Sequence, residues 1–385
     1  MSPQRELTVA VLGAGGTIAP AIVRDLAESE EIVAMRLLDL DAARAASVAE
    51  THGGGKATAA GVDARGGLAA ELHGCDLLVN SASYRVNVDA MRACLEADCH
   101  YLDLGGLFHV TGTQLELDGD FRAAGLLALL GMGSSPGKTN VMARAAVGRL
   151  NGESSDGRTR GPLSIDVVAA GRDLTPPEEF SVPYALRTLV DELTMAPVVV
   201  RDGEPVEIAP LTEGGPVRLP EPLGEVDTIH TLHSELRTFS ASFGCREAGF
   251  RLSLAPAVLD RVRALTAASD AEIDAAARTT VPPSPETVSV HRVVATREDP
   301  DRTYRSVTAT AITRPMPEWG LGGGIVSTAA PAAAAARLMA RGSIDAAGAL
   351  PPERCVEPED LFAELERRAC VTTFDVSEPA EVSAS

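Results

Sequence analysis

A glycine-rich segment near the amino terminus, Gly13–Ala19, has the composition of an anion-binding turn. It follows an apolar, strand-like run at 7–12 and precedes residues 19–27, whose apolar side chains have helical spacing. Glycine lets a phosphate approach the main chain closely, and the amino-terminal end of a helix favours its negative charge. The sequence therefore predicts a turn that binds the pyrophosphate of a dinucleotide through Gly13, Gly15, Gly16, Thr17 and Ile18.

The spacing of small residues in this turn is a variant of the common one. In the pattern Gly-x-Gly-x-x-Gly/Ala the sixth position is small, whereas Ile18 stands there in this chain. The segment also reads as Gly-x-x-Gly-x-x-Ala through Gly13, Gly16 and Ala19. The sequence alone therefore leaves the path of the pyrophosphate open.

An acidic residue, Asp39, ends the next predicted strand at 32–38. A carboxylate at this position accepts hydrogen bonds from the adenosine ribose and repels a 2′-phosphate. Residues 40–43 contain no arginine, so the sequence predicts NAD rather than NADP as the cofactor. Asp63 ends the third strand and is assigned to the adenine side of the site, with a plain turn residue as the alternative.

Three polar segments each follow a predicted strand, and a parallel sheet brings the carboxyl ends of its strands to one edge, where ligands bind. The segments are Asn80–Tyr84, Asp103–Gly106 and Gly131–Asn140. We expect the nicotinamide at this edge. The side chains assigned to cofactor binding are Asn80, Ser81 and Ala82.

The same edge holds candidates for catalysis and substrate binding. Lys138 is one of only two lysines, and a lysine beside an apolar crevice acts as a base or holds a carboxylate. Asp103 would pair with a substrate ammonium or orient Lys138, and Tyr84 would contact the substrate. The alternatives are a solvated loop lysine, an aspartate that forms a turn, and a tyrosine that packs.

A second polar group lies at 230–238, where two histidines, a serine, a glutamate and an arginine occur within nine residues. The histidines lack a third ligand at metal spacing, so no metal site is expected. We interpret the segment as a substrate-binding loop, with a polar surface turn as the alternative. His233 is a candidate base, and the candidate substrate contacts are His230, Glu235, Arg237 and the more distant Arg172.

The elements that must position these residues alternate between strands and helices up to residue 136, which is typical of a Rossmann-type, doubly wound parallel sheet. Longer alternating strands joined by short turns follow, and they indicate a second α+β domain with an antiparallel sheet. We expect a dinucleotide-binding domain over 1–136 plus 320–385, with 320–324 as a hinge, and a substrate-binding and dimerisation domain over 137–319.

Composition narrows the functional class. The net charge of −20 predicts no nucleic-acid or anionic-membrane partner. The amino-terminal residues do not form an apolar signal core, and the six cysteines have neither disulfide-scaffold nor zinc spacing. We therefore expect a cytoplasmic protein with reduced thiols.

As a set, several of these segments resemble the saccharopine dehydrogenase-like family. The segments are Val79–Tyr84, Ala97–Gly106, Gly131–Asn140, Gly342–Glu353 and Leu361–Ala369. Within that family, Asp103–Gly106, His230-Thr231 and Ala196–Ile208 are most similar to the lysine 6-dehydrogenase branch. Departures from that branch fall at Ile18, Leu107, Lys138 and 233–235.

The resemblance implies an NAD-dependent oxidoreductase that acts on the C–N bond of an amino acid or related amine, by oxidative deamination to an aldehyde. The alternative within the family is a saccharopine- or carboxynorspermidine-type reductase, which condenses an amine with a carbonyl compound. A non-catalytic NAD-binding protein is the alternative from another class. The family also implies a split first domain and a homodimer or higher homo-oligomer formed through the middle domain.

Overall fold

Strands and helices alternate through the first third of the chain, as predicted. The computed structural model describes residues 5–152, 161–298 and 303–381. The strands are β1 (Leu7–Leu12), β2 (Ile32–Asp39), β3 (Ala57–Gly61), β4 (Leu77–Asn80), β5 (His100–Asp103), β6 (Leu127–Leu129), β7 (Leu163–Asp173), β8 (Val198–Arg201), β9 (Glu204–Glu207), β10 (Glu213–Arg218), β11 (Glu225–His230), β12 (Glu247–Ser253), β13 (Thr287–Glu298), β14 (Thr303–Thr313), β15 (Gly348–Leu350) and β16 (Cys370–Glu381).

The helices between these strands carry the apolar stripes that cover the sheets. They are α1 (Ala19–Ala27), α2 (Ala42–His52), α3 (Leu68–Leu72), α4 (Asn87–Ala97), α5 (Leu107–Leu115), α6 (Asp118–Ala124), α7 (Lys138–Gly152), α8 (Leu186–Thr194), α9 (Glu235–Phe243), α10 (Pro256–Leu265), α11 (Asp270–Ala277), α12 (Gly323–Ala340), α13 (Pro352–Cys355) and α14 (Pro358–Glu366). Short 3₁₀ turns occupy Tyr84–Val86 and Pro317–Trp319.

The first unit comprises residues 1–138 and 325–368. Its sheet has the order β15-β6-β5-β4-β1-β2-β3, and every pairing in it is parallel. β1 is buried almost throughout, and Ile22, Val23 and Leu26 of the following helix α1 are fully buried as well. The strand order reverses on either side of β1, so the crevice for a ligand lies beyond the carboxyl ends of β1 and β4. The predicted fold class is confirmed.

The second unit comprises residues 139–324 and 369–385. Its sheet has the order β10-β11-β12-β7-β13-β14-β16, with the β8–β9 hairpin attached to β12. The β12–β7 pair is parallel, and the other pairs are antiparallel. The sheet is therefore mixed, and the long strand β7, between β12 and β13, lies at its centre.

The boundaries of the units differ from the prediction at one place. The chain does return to the first unit at 324/325, where the glycine-rich hinge was expected. Residues 369–381, however, leave it again, because β16 pairs with β14 over ten positions of the second sheet. The first unit therefore ends at Arg368, and the prediction that it continues to 385 was wrong. The pairing of β16 with β14 joins strands that are far apart in the sequence, so it leaves no local signal.

Within the described ranges, no helix combines the length and the apolarity that a membrane crossing requires.

Candidate functional site

The glycine turn of the first unit is shaped by close approaches that only glycine permits. Gly13 has a φ of 75°, and a Cβ there would lie 2.7 Å from the Cα of Ala82. A Cβ on Gly15 would lie 2.9 Å from the Cβ of Arg44. Gly16 and Thr17 are exposed, and the residue at the N-cap of α1, Ile18, has a side chain that makes no capping hydrogen bond. Backbone N–H groups at an uncapped helix start fit the pyrophosphate of a dinucleotide.

Ile18 occupies the position where the common pattern has a small residue. Its backbone is right-handed at the start of α1, with a φ of −92°, and its side chain is 8% exposed. The position therefore requires no glycine. The small residue that packs against the sheet is Ala19, which is fully buried, so the turn follows the Gly13, Gly16 and Ala19 spacing.

Asp39 lies at the end of β2 beside this turn. Its carboxylate accepts hydrogen bonds at 2.9 Å from the backbone N–H groups of Gly15 and Asp41. The acid is thereby fixed at the second strand end, the place where the family of folds holds an adenosine ribose.

Arg44 was not predicted from the sequence, since it lies just beyond residues 40–43 that follow the acid. It is exposed in the first turn of α2, which Asp41 caps, and its Cβ lies beside Gly15. The signal was its position five residues after Asp39. A guanidinium there is a candidate partner for a 2′-phosphate.

Asp63 is placed differently from the other cofactor candidates. Its carboxylate accepts a hydrogen bond of 2.9 Å from the backbone N–H of Arg65, and its backbone forms bridges with Gly66 and Gly67. These contacts define a turn after β3, as in the alternative interpretation. Its predicted contact with adenine stays a prediction.

Asn80, Ser81 and Ala82 follow β4 and lie against the glycine turn through the approach of Ala82 to Gly13. The Asn80 side chain is buried, donates to Asn87 and accepts from the N–H of Ala82 at 3.0 Å. The Ser81 hydroxyl is buried and finds no hydrogen-bond partner in the described part of the chain. An unsatisfied hydroxyl next to the turn is consistent with a ligand at this position.

Asp103 forms the centre of what we call the Asp103 cluster, a buried group in the first unit. One oxygen of its carboxylate accepts from the Tyr101 hydroxyl at 2.9 Å, and the same oxygen accepts from two side-chain amides. Those amides belong to Asn87 at 3.1 Å and Gln114 at 2.6 Å. The other oxygen accepts from the N–H of Gly105 at 2.9 Å and of Gly131 at 2.7 Å.

Five donors therefore surround one fully buried carboxylate. Burial raises the pKa of Asp103, while hydrogen bonds from Gln114 and Tyr101 act in the opposite direction. A carboxylate has about four lone-pair sites, so none remains for a substrate proton. We correct the predicted catalytic role of Asp103: the residue positions the loops that follow β4, β5 and β6.

Lys138 was predicted to lie in a loop, and it instead begins α7. Its side chain is fully buried, and Nζ donates to the Ser327 hydroxyl at 2.6 Å. The neighbouring hydroxyls of Ser134 and Thr328 are 3.2 Å apart. The carboxyl-terminal segment of the first unit, through α12, thus holds the 131–138 loop. The alternative of a solvated lysine is wrong.

Tyr84 lies in the 3₁₀ turn after β4 and is half-buried. Its hydroxyl accepts a hydrogen bond of 3.4 Å from Arg85, whose guanidinium lies 5.6 Å from the ring centre.

In the second unit, five residues form a buried group that we call the His233 cluster, consisting of Thr139, Tyr184, Glu192, His233 and Glu235. Nδ1 of His233 lies 2.7 Å from Oε2 of Glu235, and the imidazole stacks on Phe250 with 3.5 Å between ring centres. The Thr139 hydroxyl donates to the other Glu235 oxygen at 2.9 Å. Glu235 therefore fixes Nδ1 as the protonated nitrogen, and Nε2 makes no hydrogen bond among the described residues.

The second acid of this cluster, Glu192, was not found from the sequence. It projects from α8 and accepts a short hydrogen bond from the Tyr184 hydroxyl. Burial raises the pKa of Glu192 to about 7, against the opposing effects of His233 and Tyr184. Burial lowers the pKa of His233, but Glu235 and Glu192 more than reverse this, so the pKa lies above 6.5.

The hydroxyls of Thr231 and Ser234 adjoin His233 in sequence. Both are buried, and neither has a hydrogen-bond partner within the described residues. Buried polar atoms are normally satisfied in folded proteins, so two that are not, beside a buried imidazole, indicate a place for a polar ligand.

The other predicted substrate contacts are not brought to this cluster. Arg237 is exposed on α9. Arg172 is exposed at the end of β7 and donates to the carbonyl of Pro222 at 2.7 Å. His230 is half-buried and lines a different, open cavity of about 350 Å³ together with Asp166 and Arg201. The segment 230–238 is therefore the end of β11, a buried turn and the start of α9, rather than one loop.

Comparison with known proteins agrees with this architecture. Residues 9–129 match the family described as saccharopine dehydrogenase NADP binding domain. Carboxyaminopropylagmatine dehydrogenase of Synechocystis sp. is 26% identical over 277 residues, covering 69% of this chain and 67% of the relative. The apo structure of saccharopine dehydrogenase (L-Glu forming) from Saccharomyces cerevisiae superposes with a TM-score of 0.71 at 15% identity, covering 97% of this chain and 100% of that one.

Proposed function

We propose that the protein is an NAD-dependent oxidoreductase acting on the C–N bond of an amino acid or related amine. The reason is that the dinucleotide-binding domain of this chain belongs to the saccharopine dehydrogenase-like family. The finer assignment is a lysine 6-dehydrogenase-like oxidative deamination to an aldehyde. The observation that carries the proposal is the His233 cluster, a buried imidazole flanked by two buried carboxylates. Such a group suits the removal of a proton from an ammonium near neutral pH.

The roles follow from the chemistry of an amine oxidation. Nε2 of His233 accepts a proton from the substrate ammonium, so that the amine nitrogen has a lone pair to form the C=N bond. NAD, when bound, would supply the hydride acceptor for the amine-bearing carbon. Water then adds to the imine carbon, and ammonia leaves with a proton returned from His233. Glu235 holds the imidazole in the required tautomer throughout, as the acid of a catalytic triad does.

Lys138 is proposed to hold a substrate carboxylate or to assist the addition of water. This role is supported by the full burial of its cationic side chain, whose Nζ donates to the Ser327 hydroxyl at 2.6 Å. Substitution by methionine, which keeps the volume and removes the charge, should raise KM for an amino acid more than for a simple amine.

We further propose that NAD is preferred over NADP, because Asp39 stands fixed at the ribose position. NADP is the second candidate, and the exposed Arg44 beside the turn favours it. Fluorescence titration with NADH and NADPH decides between them. Tighter binding of NADPH, lost in Arg44→Ala, would contradict the preference for NAD.

The alternative reaction is the reductive condensation of an amine with a carbonyl compound. It is favoured by one observation, the similarity to carboxyaminopropylagmatine dehydrogenase. The test is the absorbance of NADH in both directions. In one series NAD is mixed with L-lysine, other diamino acids, diamines and simple amines; in the other, NADH is mixed with pairs of an amine and an aldehyde or keto acid.

Production of NADH from a free diamino acid supports the deaminating assignment, whereas consumption that requires both amine and carbonyl supports the condensing one. No turnover with either series, despite tight NADH binding, would leave a non-catalytic dinucleotide-binding protein as the better description.

Two further proposals concern the oligomeric state and the cellular location of the enzyme. We propose a homodimer or higher homo-oligomer formed through the second unit, supported by the exposed Val371 and Val376 on β16. Light scattering measures its mass. We propose a cytoplasmic location, supported by six free thiols, of which five are buried.

A further inference from the structure

The Tyr184–Glu192 pair is a buried acid–hydroxyl pair that the proposed reaction does not use. Glu192 is 5% exposed and lies on α8. Tyr184 precedes this helix in the sequence. Its main chain also contacts the segment that carries the imidazole, because the N–H of Leu232 donates to the Glu192 carbonyl at 3.4 Å. The pair is therefore built into the same buried group as His233.

We propose that Glu192, held by Tyr184, is a positioning residue that controls the charge of the His233 imidazole. The cluster then contains two acids and one base in a region where charge is poorly solvated, and three ionised groups would leave a net buried charge of −1. Such a charge is costly without compensation. A proton retained on Glu192 brings this net charge to zero, which relieves the cost.

Two acids act on the imidazole from different elements. Glu235 contacts Nδ1 directly from the start of α9, whereas Glu192 acts on it through space from α8. The Phe250 ring of β12 covers one face of the imidazole and excludes water from it. The remaining acid near Glu192 is Asp191, whose carboxylate lies 3.9 Å from the guanidinium of Arg187.

The sign of the effect follows from this arrangement. An ionised Glu192 favours the imidazolium form of His233, and a neutral side chain at 192 does not. Removing the charge should therefore lower the pKa of His233. Removing the Tyr184 hydroxyl withdraws a donor from the Glu192 carboxylate, makes its ionisation less favourable and should shift His233 in the same direction by less.

The experiment is a pH titration of the histidine ring signals of the full-length protein by NMR, in isotope-labelled wild type, Glu192→Gln and Tyr184→Phe. The signal of His233 among the seven histidines is identified by its loss in His233→Asn. We expect its midpoint to move down by about one pH unit in Glu192→Gln, the lower end of the effect of an adjacent charge, and by less in Tyr184→Phe.

The matched control is Asp191→Asn, which removes a charge from the same helix and should leave the midpoint in place. Unchanged midpoints in both Glu192→Gln and Tyr184→Phe would overturn the proposal, and so would an equal shift in Asp191→Asn. If Glu192→Gln fails to fold, Tyr184→Phe alone carries the test.

The inference rests on the proposed function for its catalytic consequence, but the NMR measurement does not need a substrate. With an amine substrate, the acid limb of the pH profile of kcat/KM should move down together with the NMR midpoint. A shift by NMR without any turnover on any amine would contradict the proposed function alone. Turnover with unshifted midpoints would contradict the inference alone.

Discussion

The Asp103 cluster and the His233 cluster both contain buried carboxylates, yet their polar groups are arranged in opposite ways. In the first unit, one carboxylate receives five donors, from Tyr101, Asn87, Gln114 and two backbone N–H groups. In the second unit, two carboxylates share one imidazole, and two nearby hydroxyls have no partner within the described residues.

This difference separates the two kinds of buried acid. An acid whose oxygens are all occupied fixes the geometry of the loops around it and exchanges no proton. Burial raises the pKa of Glu192 to about 7, against the opposing effects of His233 and of the Tyr184 hydroxyl. The number of donors around a buried carboxylate therefore distinguishes an acid that holds loops in place from one that titrates near neutral pH.

The largest expected effect comes from removing the carboxylate at the centre of the Asp103 cluster. Asp103→Ala removes the acceptor that five donors share, so we expect the free energy of unfolding to fall by roughly 3–5 kcal/mol. Binding of NADH should also weaken, because the loops after β4 and β5 lose their anchor. Urea denaturation and fluorescence titration measure the two effects.

The control for Asp103→Ala is Asp63→Ala, which removes a carboxylate from the exposed turn after β3 and should change stability little. Near-equal losses in the two variants would mean that the five hydrogen bonds do not anchor the loops.

Removing the imidazole of the His233 cluster should affect turnover more than folding. His233→Asn should lower kcat by about 10²–10⁴-fold, the usual contribution of a general base, with NADH affinity unchanged. Steady-state kinetics measure kcat, and NADH titration measures the affinity for the cofactor. His230→Asn, on the open cavity instead, is the matched control and should retain most activity; a similar loss in both variants would remove His233 from the proposed role.

A third expected effect concerns the pH dependence of stability. Because the pKa of Glu192 is about 7 in the folded protein against 4.5 as its ordinary value, the folded state binds more protons than the unfolded state between these pH values. Stability contributed by the neutral acid is therefore present below pH 4.5 and is lost as the pH rises towards 7.

In Glu192→Gln this loss should disappear. The difference in unfolding free energy between wild type and variant should change by about 3 kcal/mol across that range, at 1.36 kcal/mol per pKa unit. Denaturation series at several pH values measure it. A difference that is constant with pH would show that Glu192 ionises as an ordinary surface acid does.

The smallest expected effect is at the cofactor. Asp39→Asn removes the negative charge but keeps an acceptor for the N–H of Gly15, so the turn should persist. We expect the ratio of NADPH to NADH affinity to rise about tenfold, or roughly 1.4 kcal/mol. An unchanged ratio would place the ribose elsewhere than at the end of β2.

The sequence predicted the parts of the site that depend on neighbours in the chain. The glycine turn and the acid after β2 each occupy a few consecutive residues, and the pattern of residue types determines their structure. The roles of Asp103 and Glu192 depend instead on groups far away. Gln114 and Gly131 saturate Asp103, and His233 lies 41 positions after Glu192. No local periodicity reports such contacts.

The order of the segments along the chain also limits how the protein can be made. The first unit obtains β15 and α12 only from residues 325–368, after almost all of the second unit has been synthesised. The second unit obtains its edge strand β16 later still. During synthesis on the ribosome, the sheet of residues 1–138 therefore remains incomplete until the last fifth of the chain emerges. Until then, the edge of β6 is uncovered.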